Sequence, residues 1–198
     1  MSDTNPRQAA HAIEPLFLER WSPRAYTGEE IPESTLLSLF EAARWAPSSY
    51  NSQPWRFIYA RRGSASWPVL FDLLGEFNRS WAHRAAALVI VASKKTMDLG
   101  GKEVPARTHS FDAGAAWANL ALQASVAGWP AHGMAGFDYD KARTVLGIPD
   151  AYTVEAAIAI GKRGDKSLLP EAMQQRESPS PRQPQSAFVF EGVFPKGE

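Results

Sequence analysis

Ala46-Pro47-Ser48-Ser49-Tyr50-Asn51-Ser52-Gln53-Pro54-Trp55-Arg56-Phe57-Ile58-Tyr59 carries the chain out of one periodicity and into another. Upstream, Leu36, Leu39, Phe40 and Ala43 recur at helical spacing behind Ile31-Pro32-Glu33. Proline is tolerated in a first helical turn, and glutamate there suits the helix dipole. Trp45-Ala46-Pro47 closes that helix, because the residue before a proline resists helical geometry. Downstream, Trp55, Phe57 and Tyr59 alternate with Arg56 and Ile58, the period of a strand. The stretch between them holds two prolines, which stiffen it, and the hydroxyls and amides of Ser48, Ser49, Ser52, Asn51 and Gln53. On residue chemistry alone it is either a plain connector or a reader of a polar ring edge.

Working outward, Ile13 to Arg20 reads as a short helix and Trp67 to Leu74 as another. Ala87 to Ser93 is apolar on both faces, as a buried central strand should be. Lys94 to Pro105, charged and glycine-bearing, reads as a mobile surface loop. Phe111 to Ala127 is the longest helix signal, rich in alanine and closed by Gly128. Trp129 to Met134 and Tyr152 to Ile160 read as strands, separated by a helix that Asp138 caps and Gly147 and Pro149 stop. Helices and strands mix without a βαβ rhythm, so the expected fold class is α+β, a mixed sheet packed between helices. Residues 1–198 read as a single domain with an N-terminal tail over 1–12 and a C-terminal arm over 162–198. The arm is polar to residue 187 and then apolar, with Phe188 to Phe194 expected to be a strand. Such a strand either folds back on its own subunit or reaches across a dimer.

The bulk numbers exclude several functions. Lys+Arg and Asp+Glu both count 21, which argues against a nucleic-acid partner. Without cysteine there is no disulfide, thiol nucleophile or Cys-ligated metal. His11, His83, His109 and His132 show no metal-ligand spacing, so no metal is expected. No apolar run approaches the roughly 20 residues of a membrane span, and residues 1–12 lack an apolar signal segment. The expectation is a cytoplasmic protein with no membrane contact. Neither glycine-rich phosphate cradle, G-x-G-x-x-G or G-x-x-x-x-G-K-[ST], occurs. Arg20-Trp21-Ser22-Pro23-Arg24 remains: two guanidinium forks flanking a serine suit a terminal phosphate, and equally suit a solvated helix end.

Taken together, Arg20-x-Ser22-x-Arg24 and the Ala-Pro-Ser-Ser-x-Asn-Ser-Gln-Pro-Trp segment resemble the nitroreductase family of flavoenzymes, in order and spacing. The resemblance runs from about Leu16 to Phe194. It takes in Asn78, the Asp112 to Gly128 helix, Gly133-Met134-Ala135-Gly136-Phe137-Asp138, and Arg182 ahead of the last segment. It implies an α+β homodimer with FMN sites built from both subunits and the C-terminal arm wrapping the partner. It further implies hydride uptake from NADH or NADPH and ping-pong transfer to a small-molecule acceptor, a nitroaromatic, quinone or related compound. By the same resemblance Arg20, Trp21, Ser22, Arg24 and Arg182 would hold the phosphate. Pro47, Ser48, Ser49, Asn51 and Gln53 would line the ring, with Asn78, Gly133, Met134, Ala135 and Gly136 against it. Backbone N–H groups of Ala135 and Gly136 would face the flavin N5, and no side chain acts as acid or base. Other members carry glutamate at the position of Ala135, lysine at that of Trp81, or a basic residue at that of Ser180. Trp81, His109 and the 94–109 segment are therefore expected to shape a different acceptor pocket. Flavin breakdown, reductive dehalogenation and flavin binding without turnover are the alternatives within this resemblance.

Overall fold

The computed structural model describes residues 6–195. The ends of the expected tail (1–5) and arm (196–198) lie outside the described residues. In chain order the helices are α1 (Leu16–Glu19), α2 (Glu33–Arg44), α3 (Trp67–Phe71), α4 (Glu76–Ala82), α5 (His109–Val126), α6 (Tyr139–Val145) and α7 (Glu171–Gln174). The strands are β1 (Trp55–Arg61), β2 (Ala87–Lys94), β3 (Thr96–Leu99), β4 (Lys102–Pro105), β5 (Ala131–Met134) and β6 (Tyr152–Ile160).

Four strands form one sheet in the order β1-β2-β6-β5, antiparallel at every junction. Strand period 2 divides β2 cleanly. Leu88, Ile90 and Ala92 join Trp81, Leu70, Leu73, Tyr26 and Phe137 in a core under α3, α4 and α6. Ala87, Val89 and Val91 join Leu36, Leu39, Ala116, Leu120 and Ala124 in a second core under α2 and α5. Helices cover both faces, which is why β2 reads as a continuous apolar run. The Asp138 cap holds: its carboxylate accepts the Lys141 N–H at 2.9 Å.

Three expectations change. Lys94 to Pro105 is an ordered hairpin, β3 paired with β4 in the register Leu99↔Lys102. Its turn is Gly100-Gly101, both with positive φ (63° and 83°), the backbone that a two-residue hairpin turn requires. Phe188 to Phe194 forms no strand within the single chain. A 3-10 turn at Gln185–Ala187 precedes it, and Phe188, Val193 and Phe194 stay exposed because no sheet edge of this subunit receives them. Finally, Trp81 is 1% exposed, packed on Tyr26 and His132, and so lines no acceptor pocket.

Candidate functional site

The first motif is held by its backbone, which three side chains reach. Beyond it, Thr27 and Gly164 hydrogen-bond across to Lys162 and Ala25, stitching residues 25–27 to the chain just past β6. One carboxylate oxygen of Glu177 accepts the N–H groups of both Arg24 (2.7 Å) and Ala25 (2.8 Å). His132 Nδ1, on β5, donates to the Pro23 carbonyl at 3.1 Å. Arg7 reaches the carbonyls of Leu18, Arg20 and Ser180. The C-terminal arm is thereby brought against Arg20–Arg24.

The result is a cavity of about 350 Å³ walled by Arg20, Trp21, Ser22, Arg24 and Arg182, all expected from the sequence, and by Arg7, His132, Arg176, Ser178 and Ser180, which were not. Among the described residues no aspartate or glutamate lines it. The guanidinium groups therefore repel one another. Arg20 is held below the ordinary arginine pKa by burial and then by the Arg182 charge. Arg7 is lowered by burial, Arg182 and Arg20. Burial, and after it the Arg24 charge, pushes His132 down to about 4. A pocket of crowded cations suits an anion.

A second cavity, of about 440 Å³, shares the Arg20 and Ser22 wall. It runs between Phe17 and the α5 side chains Trp117, Ala118, Ala121 and Leu122, with Gly133 opposite. A methyl group at Gly133 would meet Trp117 at 3.1 Å, so the slot needs glycine at that position. Just beyond, Ala135 and Gly136 are exposed while Met134 is buried in the core. Their carbonyls are engaged: Gly136 accepts from Asn78 Nδ2 (2.9 Å) and from the Gly75 N–H (3.0 Å), and Ala135 accepts from Phe137. Neither the Ala135 nor the Gly136 N–H takes part in the loop and turn hydrogen bonds of the described residues. Asn78, on α4, thus acts on Gly136 from behind, and a Cβ at Gly136 would strike its amide at 2.8 Å.

The 47–53 loop lies elsewhere. Ser49 N–H donates to Asp112 at the start of α5, and Ser48 Oγ accepts the Gln53 N–H. Tyr50, Asn51 and Gln53 all have left-handed φ (51°, 53° and 48°), a conformation that costs an L residue about 1–2 kcal/mol. Non-glycine strain concentrated in four residues is the kind retained where a loop has work to do. Neither the arginine cavity nor the slot takes in any residue of 47–53. Asp112 stands 5–10 residues before the α5 residues of the slot, roughly 8–15 Å along the axis at 1.5 Å per residue. One chain therefore does not bring its two motifs together.

His109 is also separate. It meets Ser93 (2.7 Å), and Ser93 and Ser110 both donate to the Glu155 carboxylate. Glu155 is the extra residue of a β-bulge opposite Val91 and Ala92, which swings it toward α5. Among the described residues this cluster pins the helix start to the sheet.

Comparison with known proteins bears on the same residues. The family model described as "Nitroreductase family" matches residues 18–66 and 65–162. A solved oxidoreductase described as containing FMN superposes with a TM-score of 0.93 at 47% identity, covering 98% of this chain and 99% of that one. The protein named NADH dehydrogenase in Thermus thermophilus is 27% identical over 73% of this chain and 83% of its own length. A nitroreductase family protein from Streptococcus pneumoniae shares the fold alone, with a TM-score of 0.70 at 22% identity over 89% of this chain and 98% of that one.

Proposed function

The chain belongs to the nitroreductase family, and from that premise we propose that it is an FMN-dependent NAD(P)H oxidoreductase working as a homodimer. The observation that carries the reading is the arginine cavity opening into an apolar slot. A phosphate would sit among Arg20, Ser22, Arg24 and Arg182, and a planar ring along Gly133 to Gly136. When bound, FMN would supply the redox chemistry of a ping-pong exchange between NADH or NADPH and a nitroaromatic, quinone or related acceptor.

The chain's own residues bind and tune. Guanidinium forks on a phosphate are charge-assisted bonds that also set its orientation. The Ala135 carbonyl, which accepts the Phe137 N–H, shares a peptide plane with the Gly136 N–H, and the Gly136 carbonyl is held by Asn78 and Gly75; the Gly136 N–H would donate to a ring nitrogen that gains charge on reduction. No side-chain acid or base is required.

The ring edge would be read by Ser48, Ser49, Asn51 and Gln53 of a second copy, since those of the same chain sit apart from the slot. Exposed apolar side chains support a large self-interface: Phe17 is 54% exposed, Phe111 81% and Val126 64%, and the arm adds Phe188, Val193 and Phe194. The arm would find on the partner the sheet or groove that its own subunit lacks.

The purified protein should be yellow and should bleach anaerobically with NADH or NADPH. In the double variant Arg20→Ala with Arg24→Ala, FMN affinity should fall by at least about tenfold, since each charge-assisted bond contributes roughly 1.5–3 kcal/mol. A colourless protein that takes up no added FMN would sink the reading. FMN affinity unchanged in the double variant would sink the phosphate assignment alone.

A further inference from the structure

Left-handed backbone is unfavourable for an L residue, so the 47–53 loop keeps its shape only where its surroundings over-determine it. Within the loop, Ser48 Oγ accepts the Gln53 N–H and Gln53 Nε2 donates to the Asn51 carbonyl at 3.1 Å. Its far end is tied to the sheet: Arg56 Nη1 donates to the Gln53 carbonyl at 3.0 Å, and the Lys94 N–H to that of Pro54 at 2.9 Å. Its near end is tied by one carboxylate. Asp112, in the first turn of α5, is 4% exposed, and its Oδ2 accepts the Ser49 N–H at 3.1 Å and the Thr108 hydroxyl at 3.2 Å. Among the described residues no lysine, arginine or histidine forms an ion pair with it. A carboxylate withdrawn this far from water depends on the hydrogen bonds it keeps. A staple of the helix start would spend it on N–H groups of its own first turn. This one reaches a segment 63 residues away, at the residue just ahead of left-handed Tyr50 and Asn51.

We infer that Asp112 is a positioning residue for the flavin ring: through the Ser49 N–H it holds the ring-edge loop in its strained shape, for the centre that it completes on a second copy. This role rests on the flavin and homodimer reading above. Asp112 stands along α5 from both the arginine cavity and the slot of its own chain, so it acts on the ring and not on the phosphate. Riboflavin, which has the ring and ribityl chain without the phosphate, separates the two. Loss of Asp112 weakens FMN and riboflavin by the same factor, whereas the double variant Arg20→Ala with Arg24→Ala weakens FMN alone.

The test is titration of the full-length chain, stripped of flavin, with FMN and with riboflavin, for wild type, Asp112→Ala and Asp112→Asn. A thermal midpoint and the visible spectrum of the saturated protein are recorded for each. Asp112→Ala should weaken both flavins by about tenfold, equivalent to about 1.4 kcal/mol, and move the visible band of the bound ring. Asp112→Asn keeps an oxygen for the Ser49 N–H and should hold both affinities within about threefold of wild type, with the band in place. Wild-type affinities in Asp112→Ala, whatever its midpoint, make Asp112 a staple of the helix start and overturn the inference. Weakening of FMN alone overturns it too, as does an unmoved band in Asp112→Ala or an Asp112→Asn that binds as weakly as Asp112→Ala. Should Asp112→Ala fail to fold, Asp112→Ser, whose hydroxyl falls short of the Ser49 N–H, decides by the same comparisons. A wild type that binds neither flavin strikes the flavin reading itself, whereas a wild type that binds both beside an Asp112→Ala that binds them equally well strikes only Asp112.

Discussion

Glu177 is 5% exposed, next to a pocket of arginines, and uses one oxygen to fix two backbone N–H groups rather than to neutralise a guanidinium. Its effect is to preserve the cavity's charge while setting the cavity's shape. His132 follows the same logic from the sheet side. Its pKa of about 4 lies below the ordinary 6.5, so the native state refuses a proton that the unfolded chain accepts. Stability from this residue is then complete above about pH 6.5 and is lost as pH falls toward 4, with a slope of at most about 1.4 kcal/mol per pH unit. Urea unfolding across that window should show the slope in wild type and a flatter profile in His132→Gln; identical profiles would contradict the assignment. At this scale the sequence disclosed Arg20, Ser22 and Arg24 because their types are unusual so close together. Arg182 was found through the family resemblance, whereas Arg176, Ser178 and Ser180 were hidden by sparse composition, although their period-2 spacing, with Glu177 and Pro179 turned inward and buried, was a readable signal. Arg7 had no local signal for its place in the cavity wall, because the carbonyls of Leu18 and Ser180 that it reaches are 11 and 173 residues away.

Among the elements, those with strong periodicity were legible: α2, α5, β2 and β6 lie within two residues of expectation. Weak ones were not. The expected helix over Ile13 to Arg20 shrinks to the four residues of α1, and α4, which carries Asn78, was missed because its apolar residues Phe77, Trp81 and Ala82 span barely two turns. The hairpin was missed although Gly100-Gly101 announced it; charge at Asp98, Lys102 and Glu103 was read as loop when it belongs to two exposed strands. The 47–53 loop was recognised by chemistry, but its strain was invisible without backbone angles. That strain yields a test. Gln53→Gly removes one left-handed L residue, a relief of about 1 kcal/mol, and removes the amide proposed to read the ring. The thermal midpoint should hold or rise while FMN affinity falls. Loss of both together would mean that the loop's shape, and not the Gln53 amide, is what the substitution damages.

For the whole molecule, helices on both sides of the sheet were foreseeable from β2, which is apolar on both faces, whereas the arm's place was left open between its own subunit and a partner, because one chain's pattern does not say which sheet or groove receives an apolar segment. In solution the protein should have about twice the chain's 21.7 kDa mass by light scattering. Deleting residues 185–198 should lower that mass toward a single chain or, failing that, weaken the association measurably on dilution. A mass unchanged at every concentration would remove the arm from the interface.

The distance along α5 between the arginine cavity and the strained loop has a genetic consequence. If each centre draws its phosphate cradle from one copy and its ring-edge loop from the other, then lesions in the two regions are complementary. A chain crippled at Arg20 and Arg24 and a chain crippled at Asn51 would each be inactive alone. Refolded as a mixture, their hybrid would own one centre with both lesions and one with none, so a cross between two dead alleles would recover up to half the wild-type sites in every hybrid. Two lesions within the same region could never do so.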